Sequence, residues 1–330
     1  MRTEIATSRV ETDAVVGYPE KYSIENELLE KIGREKQEAR ERFSDLIALV
    51  SDRYANLPEA MRQDFVAHNG EILDGVIEVG MEDEFSGEEL KLLEIAAILH
   101  DMTKADQAEE KFAGIPNYVL VTHAEKAAAE VSQIVTDEYL KKIGIEGNFD
   151  EARKKIQEAI SQHMGPHPGF MTGILNGVNA KLQEMGEAEI KHPQAEGKIS
   201  QALLAADMQS LAGINGRNKI LSIRASVEGF KKDDVKVVAE YAEYGIELSI
   251  GEAALLSGFA SAEQARDMIQ NEKMKAWVNQ AIEESMDTIY HYPSNPKEII
   301  SWDIIRSKKD QFEEAQRIAD ARENLEKIAA

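Results

Sequence analysis

The stretch Leu99-His100-Asp101-Met102-Thr103-Lys104 is the part of this 330-residue chain from which a fold and a chemistry can first be inferred. It follows an apolar, alanine-containing run whose pattern predicts a helix. Ser86-Gly87-Glu88-Glu89 has the pattern of a capping box and predicts where that helix begins. The His-Asp pair is therefore expected at a helix end, where adjacent nitrogen and oxygen ligands can bind a metal ion.

Further residues of the same chemistry lie on both sides of this stretch. In chain order they are His68, His123, His163 and Asp207. Asp207 follows the apolar run Ala202–Ala206, which predicts that its carboxylate lies close to the core. A buried carboxylate without a partner is costly, and a metal ion would offset that cost. One carboxylate can also bridge two ions about 3.5–4 Å apart, and Asp101 has suitable chemistry for that role.

These motifs resemble those of the HD superfamily of metal-dependent phosphohydrolases. The resemblance covers roughly residues 60–215 and rests on His68, the His100–Lys104 segment, Thr122-His123-Ala124-Glu125, Ser161-Gln162-His163 and Ala205-Ala206-Asp207. Two departures stand out: Thr103 occupies a position that is usually glycine, and Gln162 precedes His163 where two-metal members often have a second histidine.

Helical patterning along most of the chain predicts an all-α fold with additional N- and C-terminal helices, and the resemblance implies that its centre is an HD-domain helical bundle. It also implies one or two metal ions, and the many histidine ligands favour a divalent transition metal such as iron, manganese, zinc or nickel over magnesium. His68, His100, Asp101 and Asp207 would hold the first ion. Asp101, His123 and His163 would hold the second.

The expected reaction is hydrolysis of a small phosphoester, a nucleotide or related metabolite, by a metal-bound hydroxide. Asp101 and Lys104 are the expected catalytic residues, with Lys104 contacting the phosphate. Two alternatives stay open from the sequence. One is an HD-type oxygenase with a mixed-valent di-iron pair, and the other is a non-catalytic sensor or scaffold that contains the metal.

The amino-acid composition limits the classes of ligand and macromolecule that this chain is expected to bind. The chain has 61 acidic and 38 basic residues, a formal net charge of -23 and no cysteine, which excludes thiolate ligands. An acidic surface repels nucleic acids, and a small anionic substrate would need a local positive centre, which bound metal ions could provide. The sequence predicts no membrane-spanning run and no signal peptide, so a cytoplasmic protein is expected, with a possible homo-oligomer formed through terminal helices.

Three regions are expected along the chain. Residues 1–55 would form a loose arm, at 1–22, and amphipathic helices. Residues 56–217 would form the metal-binding helical domain, and residues 218–330 a helical extension. Within the second region, residues 165–193 are rich in glycine and proline. They are expected to form an irregular insertion with one short helix, a possible lid from which His167 could touch the substrate.

Other capping patterns predict further helix starts. Thr122–Glu125 predicts a helix running to about residue 141. Ser249–Glu252 and Ser261–Gln264 predict two short helices that resemble a helix-turn-helix, for which a packed helical pair is favoured over a DNA reader. The Tyr292–Pro296 segment predicts a break before the terminal helix.

Overall fold

A computed structural model describes residues 20–166 and 170–329. The chain is 76% helical, with 14 α-helices and one small two-stranded sheet in the part described, so the all-α prediction is confirmed. Most of the predicted N-terminal arm, residues 1–19, and also His167 lie outside the described residues. No helix in the described ranges is both long and apolar enough to cross a membrane.

The helices in chain order are α1 (Glu20–Arg42), α2 (Ser44–Arg53), α3 (Glu59–Glu82), α4 (Gly87–Leu99), α5 (Tyr118–Ile134), α6 (Asp137–Lys142), α7 (Phe149–Gln162), α8 (Phe170–Glu184), α9 (Gly197–Ala212), α10 (Ile214–Ser226), α11 (Glu228–Glu243), α12 (Ile250–Asp267), α13 (Glu272–Met286) and α14 (Trp302–Ala329). Strands β1 (Tyr290–Tyr292) and β2 (Asn295–Ile300) form an antiparallel hairpin between α13 and α14.

Side-chain caps set the start of several helices. Ser86 and Ser249 both form complete capping boxes, at α4 and α12, as their sequences predict. The Asn148 side chain accepts bonds from two backbone amides at the start of α7. Each cap satisfies amide groups that have no carbonyl partner in the first helical turn, which stabilises a helix by about 1 kcal/mol.

Two predicted caps are wrong. Thr122 lies inside α5, which begins at Tyr118 and ends at Ile134 rather than near residue 141, and its hydroxyl donates to the Tyr118 carbonyl at 2.9 Å. Ser261 lies inside α12 and donates to the Ser257 carbonyl at 2.9 Å. Because α12 is continuous from Ile250 to Asp267, neither a helix-turn-helix nor a helical pair forms there.

The glycine-rich region is more regular than predicted. It contains the 15-residue helix α8, which packs against α5 over a small separate apolar cluster comprising Phe112, Ile115, Val121, Val178 and Leu182. The predicted break at Tyr292–Pro296 is the turn of the β1–β2 hairpin, with Tyr292 opposite Asn295.

Helices α3, α4, α5, α7 and α9 pack as the bundle that positions the candidate site. Helix α9 is central, and its small buried residues let neighbouring helices approach closely. Ala206, for example, lies against Gly75 of α3, where an added Cβ would be 3.3 Å from the Ala206 methyl group. One apolar core extends from Ile32 to Phe312 across both expected region boundaries, so the three-part division remains a prediction.

Candidate metal centre

The six predicted ligand residues meet in one place inside the bundle. His68 lies in the middle of α3, His100 and Asp101 follow the last residue of α4, and His123 lies in α5. His163 follows the last residue of α7, and Asp207 lies in α9. All six residues are buried.

The first group of contacts surrounds one oxygen of Asp101. Nε2 of His68 lies 3.5 Å from Asp101 Oδ2, and Nε2 of His100 lies 3.5 Å from the same oxygen. The His68 nitrogen is also 3.4 Å from Oδ1 of Asp207. Ligand atoms of His68, His100 and Asp101 are all mutually close enough to hold one ion.

The second group surrounds the other oxygen of the same carboxylate. Nε2 of His123 lies 2.9 Å from Asp101 Oδ1, and Nε2 of His163 lies 3.7 Å from it. The two imidazole nitrogens are 3.3 Å apart. Asp101, His123 and His163 thus form a second potential ion-binding group, and Asp101 belongs to both groups.

Backbone hydrogen bonds orient three of the imidazoles. In each, Nδ1 lies 2.6–2.7 Å from the carbonyl oxygen three residues earlier, and the pairs are His100 with Ala97, His123 with Leu120, and His163 with Ile160. A carbonyl only accepts, so Nδ1 carries the hydrogen. In a neutral imidazole, the lone pair is then on Nε2, which faces Asp101.

His68 is oriented differently, by side chains that the sequence analysis missed. Its Nδ1 lies 3.4 Å from the Ser210 hydroxyl, which donates to Glu71 at 2.9 Å. Glu71 is three residues after His68, and Ser210 is three residues after Asp207, so each shares a helix face with a predicted ligand. This three-residue spacing from a predicted ligand is the sequence signal by which Glu71 and Ser210 could have been identified. Asp64, one turn before His68, is exposed.

The arrangement of acceptor atoms fits a cation. Nε2 of His100 and Oδ1 of Asp101 are buried without a hydrogen-bond partner among the described residues. Lone pairs on imidazole nitrogens and carboxylate oxygens that face one another repel unless a proton or a metal ion lies between them. The mixture of several imidazoles with carboxylates is the donor set that divalent transition metals prefer.

Burial and neighbouring charges set the protonation states. Burial lowers the pKa of His100 to about 4 and also lowers the pKa of His123. Burial alone would raise the pKa of Asp101, but the Lys104 ammonium holds it well below its usual range. The pKa of Asp207 is also lowered against the effect of burial, by its contact with His68. Neutral imidazoles and ionised carboxylates are the forms that bind metals.

Lys104 and Thr103 complete the turn after α4. Nζ of Lys104 lies 2.7 Å from Asp101 Oδ2, and its side chain is 26% exposed, so it lies at the edge of the centre. Against the effect of burial, Asp101 raises the pKa of Lys104, which therefore stays charged. The buried Thr103 hydroxyl donates to the His123 carbonyl at 2.8 Å and ties this turn to α5.

The described part of the molecule is thus helical and contains a buried His-Asp cluster that could hold one or more metal ions. This arrangement is compatible with the helical metal-binding fold that the sequence resembles. Comparisons with protein-family models, curated proteins and solved structures give no match.

Proposed function

We propose that this protein is an HD-type metal-dependent phosphohydrolase that acts on a small anionic phosphoester. The observation that supports this function most strongly is the position of Asp101. One of its oxygens faces His68 and His100, and the other faces His123 and His163. A carboxylate placed in this way could hold two ions close together, and two close ions can stabilise the oxygens of a transferring phosphoryl group.

In this proposal the first ion is held by His68, His100, Asp101 and Asp207, and the second by Asp101, His123 and His163. When bound, the ions would lower the pKa of water and neutralise charge on the phosphoryl oxygens. The imidazole-rich set favours iron, manganese, zinc or nickel over magnesium.

The protein's own groups have separate tasks. The bundle buries the ligands and holds each imidazole by its Nδ1 atom, so little reorganisation is needed when ions bind. Lys104 lies at the edge of the centre, where its ammonium can exchange its bond to Asp101 for one to a phosphoryl oxygen. Such a preorganised donor stabilises the charge that develops during phosphoryl transfer.

The experiment that tests this function combines metal analysis with phosphate release. Protein loaded with manganese or iron is assayed against a panel of phosphoesters, beside Asp101→Asn and Asp101→Ala. Both variants should lose turnover and bind less of both metals, while circular dichroism stays helical. Asp310→Ala, an exposed carboxylate on α14, is the matched control and should behave as wild type.

Full metal content and turnover in Asp101→Asn would overturn the proposal. An inactive wild type with a spectroscopically coupled di-iron pair would instead support the oxygenase alternative. An inactive protein whose metal has no exchangeable water would support the scaffold alternative.

A further inference from the structure

A cavity of about 470 Å³ lies between α3 and α10, and His68 forms part of its wall. Asp64 and Glu71 line it from α3, and Lys219 and Ser222 line it from α10. This volume is within the range of small-molecule sites. The cavity therefore connects a predicted metal ligand with the C-terminal helices, to which the proposed reaction assigns no role.

The polar side chains from α10 share one face of that helix. Asn215, Lys219 and Ser222 are spaced four and three residues apart, and all three line the cavity. Residues at this spacing lie one above another along a helix. The helix therefore presents the Lys219 ammonium and the Ser222 hydroxyl to any molecule that lies beside His68, together with the Asn215 amide, whose nitrogen also donates to Glu71.

Lys219 is a cation without a partner among the described residues. Many basic side chains of this acidic chain are already paired, as Lys36 is with Glu78 and Lys104 is with Asp101. Glu71, on the opposite wall, already accepts hydrogen bonds from the Ser210 hydroxyl and the Asn215 amide. The Lys219 side chain is exposed at the cavity wall, so its unpaired ammonium is available to an incoming anion.

The lining also restricts the class of molecule. No Phe, Tyr or Trp side chain is among the described residues that line this cavity, so a nucleobase would find no such ring to stack on. Asp64, Asn215 and Ser222 instead offer acceptors and donors for hydroxyl groups.

We propose that this cavity recognises a small hydroxylated phosphoester that carries a second anionic group, and that Lys219 binds that second group. The inference rests on the proposed function, since the phosphoester end is placed at the metal centre. It deepens that function by assigning the substrate class and by giving α10 a role in specificity.

The test uses two compounds that differ in one group. Glycerol phosphate, phosphorylated on a terminal hydroxyl, is compared with phosphoglycerate, which has a carboxylate in place of the other hydroxymethyl group. Binding to the manganese-loaded full chain is measured by calorimetry, and turnover by phosphate release. Wild type should prefer phosphoglycerate by roughly tenfold or more, the scale of one charge-assisted hydrogen bond.

Lys219→Ala should reduce this preference to near unity, and Lys219→Arg should restore part of it. Lys232→Ala, an exposed lysine on α11, is the matched control and should keep the wild-type preference. AMP, which carries a base, should bind more weakly than phosphoglycerate.

The outcomes separate this inference from the proposed reaction. Binding of phosphoglycerate that depends on Lys219, with no hydrolysis of any phosphoester in the panel, would support the cavity and contradict the phosphohydrolase. Four results would overturn the inference, whether or not other phosphoesters are hydrolysed. Wild type could bind the two compounds equally or bind neither of them. The preference could be unchanged in Lys219→Ala, or AMP could bind more tightly than phosphoglycerate.

Discussion

Hydrogen bonds at the nitrogen remote from Asp101 orient the imidazoles, and His68 alone relies on side chains for this. His100, His123 and His163 use backbone carbonyls of their own segments. His68 uses the Ser210 hydroxyl, which is fixed by Glu71. Substitution of Ser210 or Glu71 can therefore disturb the orientation of the His68 imidazole without replacing any proposed metal ligand.

Ser210→Ala and Glu71→Gln should weaken the first metal site by roughly 10–100-fold, the scale reported for losing a partner of a ligating histidine. The second site does not contain His68 and should keep its affinity. Calorimetric titration with manganese measures both sites. Ser226→Ala, an exposed serine at the end of α10, serves as control. Equal weakening of both sites, or of neither, would contradict the role given to Ser210.

Lys104 should affect turnover without affecting metal content, because an ammonium group has no lone pair for a metal. Lys104→Ala is expected to reduce turnover by roughly 10²-fold or more, the cost of losing one preorganised donor. Lys104→Arg should restore little, since a planar fork does not replace a point charge. Phosphate release and elemental analysis of the same samples measure the two effects. A fully active Lys104→Ala protein would contradict the role given to Lys104 and leave the metal ions alone to neutralise the charge of the substrate.

At the scale of elements, α1 and α4 are joined by a hydrogen bond from Arg42 to the buried carboxyl group of Glu94. Glu94 of α4 is fully buried, with one oxygen 2.9 Å from the guanidinium of Arg42 and the other without a hydrogen-bond partner. Burial raises the pKa of Glu94 to about 8, against the effect of Arg42. An ionised Glu94 is therefore less favourable in the folded protein than in the unfolded chain.

This difference predicts a pH dependence of stability. Between the unfolded pKa of 4.5 and the folded value of about 8, the folded state holds a proton that the unfolded state releases. The contribution of Glu94 to the free energy of unfolding therefore falls as pH rises through this window, by up to about 1.4 kcal/mol per pH unit. Urea unfolding of metal-free Glu94→Gln should lack this contribution, whereas Glu88→Gln, an exposed control on α4, should keep it. If the free energies of unfolding of wild type, Glu94→Gln and Glu88→Gln changed in parallel with pH, this prediction would be contradicted.

The helix starts show how far local sequence determines these elements. The capping boxes at Ser86 and Ser249 form, whereas the similar patterns at Thr122 and Ser261 lie inside longer helices. A hydroxyl within a helix can donate a hydrogen bond to the carbonyl four residues earlier, so the same sequence pattern is compatible with a helix start and with a helix interior. The surrounding chain decides between them, through the start of α5 at Tyr118 and the continuity of α12.

The candidate site likewise contains some residues that the sequence could identify and others that it could not. The six candidate ligands could be named from the sequence because their residue types and order are distinctive. Glu71, Ser210 and Lys219 could not, because their roles depend on which faces of α3, α9 and α10 meet. Asp64 lies one turn before His68, a spacing that would suit a further ligand, but its side chain is exposed in the cavity wall.

At the scale of the whole molecule, five helical segments carry the candidate ligands, which extend from residue 68 to residue 207. No local segment can form this centre alone, so the bundle must assemble before the ligands converge. The chain also carries a formal net charge of -23, while the proposed ions and Lys104 would provide positive charge at the centre. An anionic substrate would then be attracted to one point on an otherwise repulsive molecule.

The central claim is that Asp101 is shared by two metal ions. Anomalous scattering from crystals of the manganese-loaded full chain tests it directly. The account predicts two peaks, one on each side of the Asp101 carboxylate: the first beside His68, His100 and Asp207, and the second beside His123 and His163. A single peak or no peak at Asp101, or peaks only at exposed carboxylates, would contradict the account.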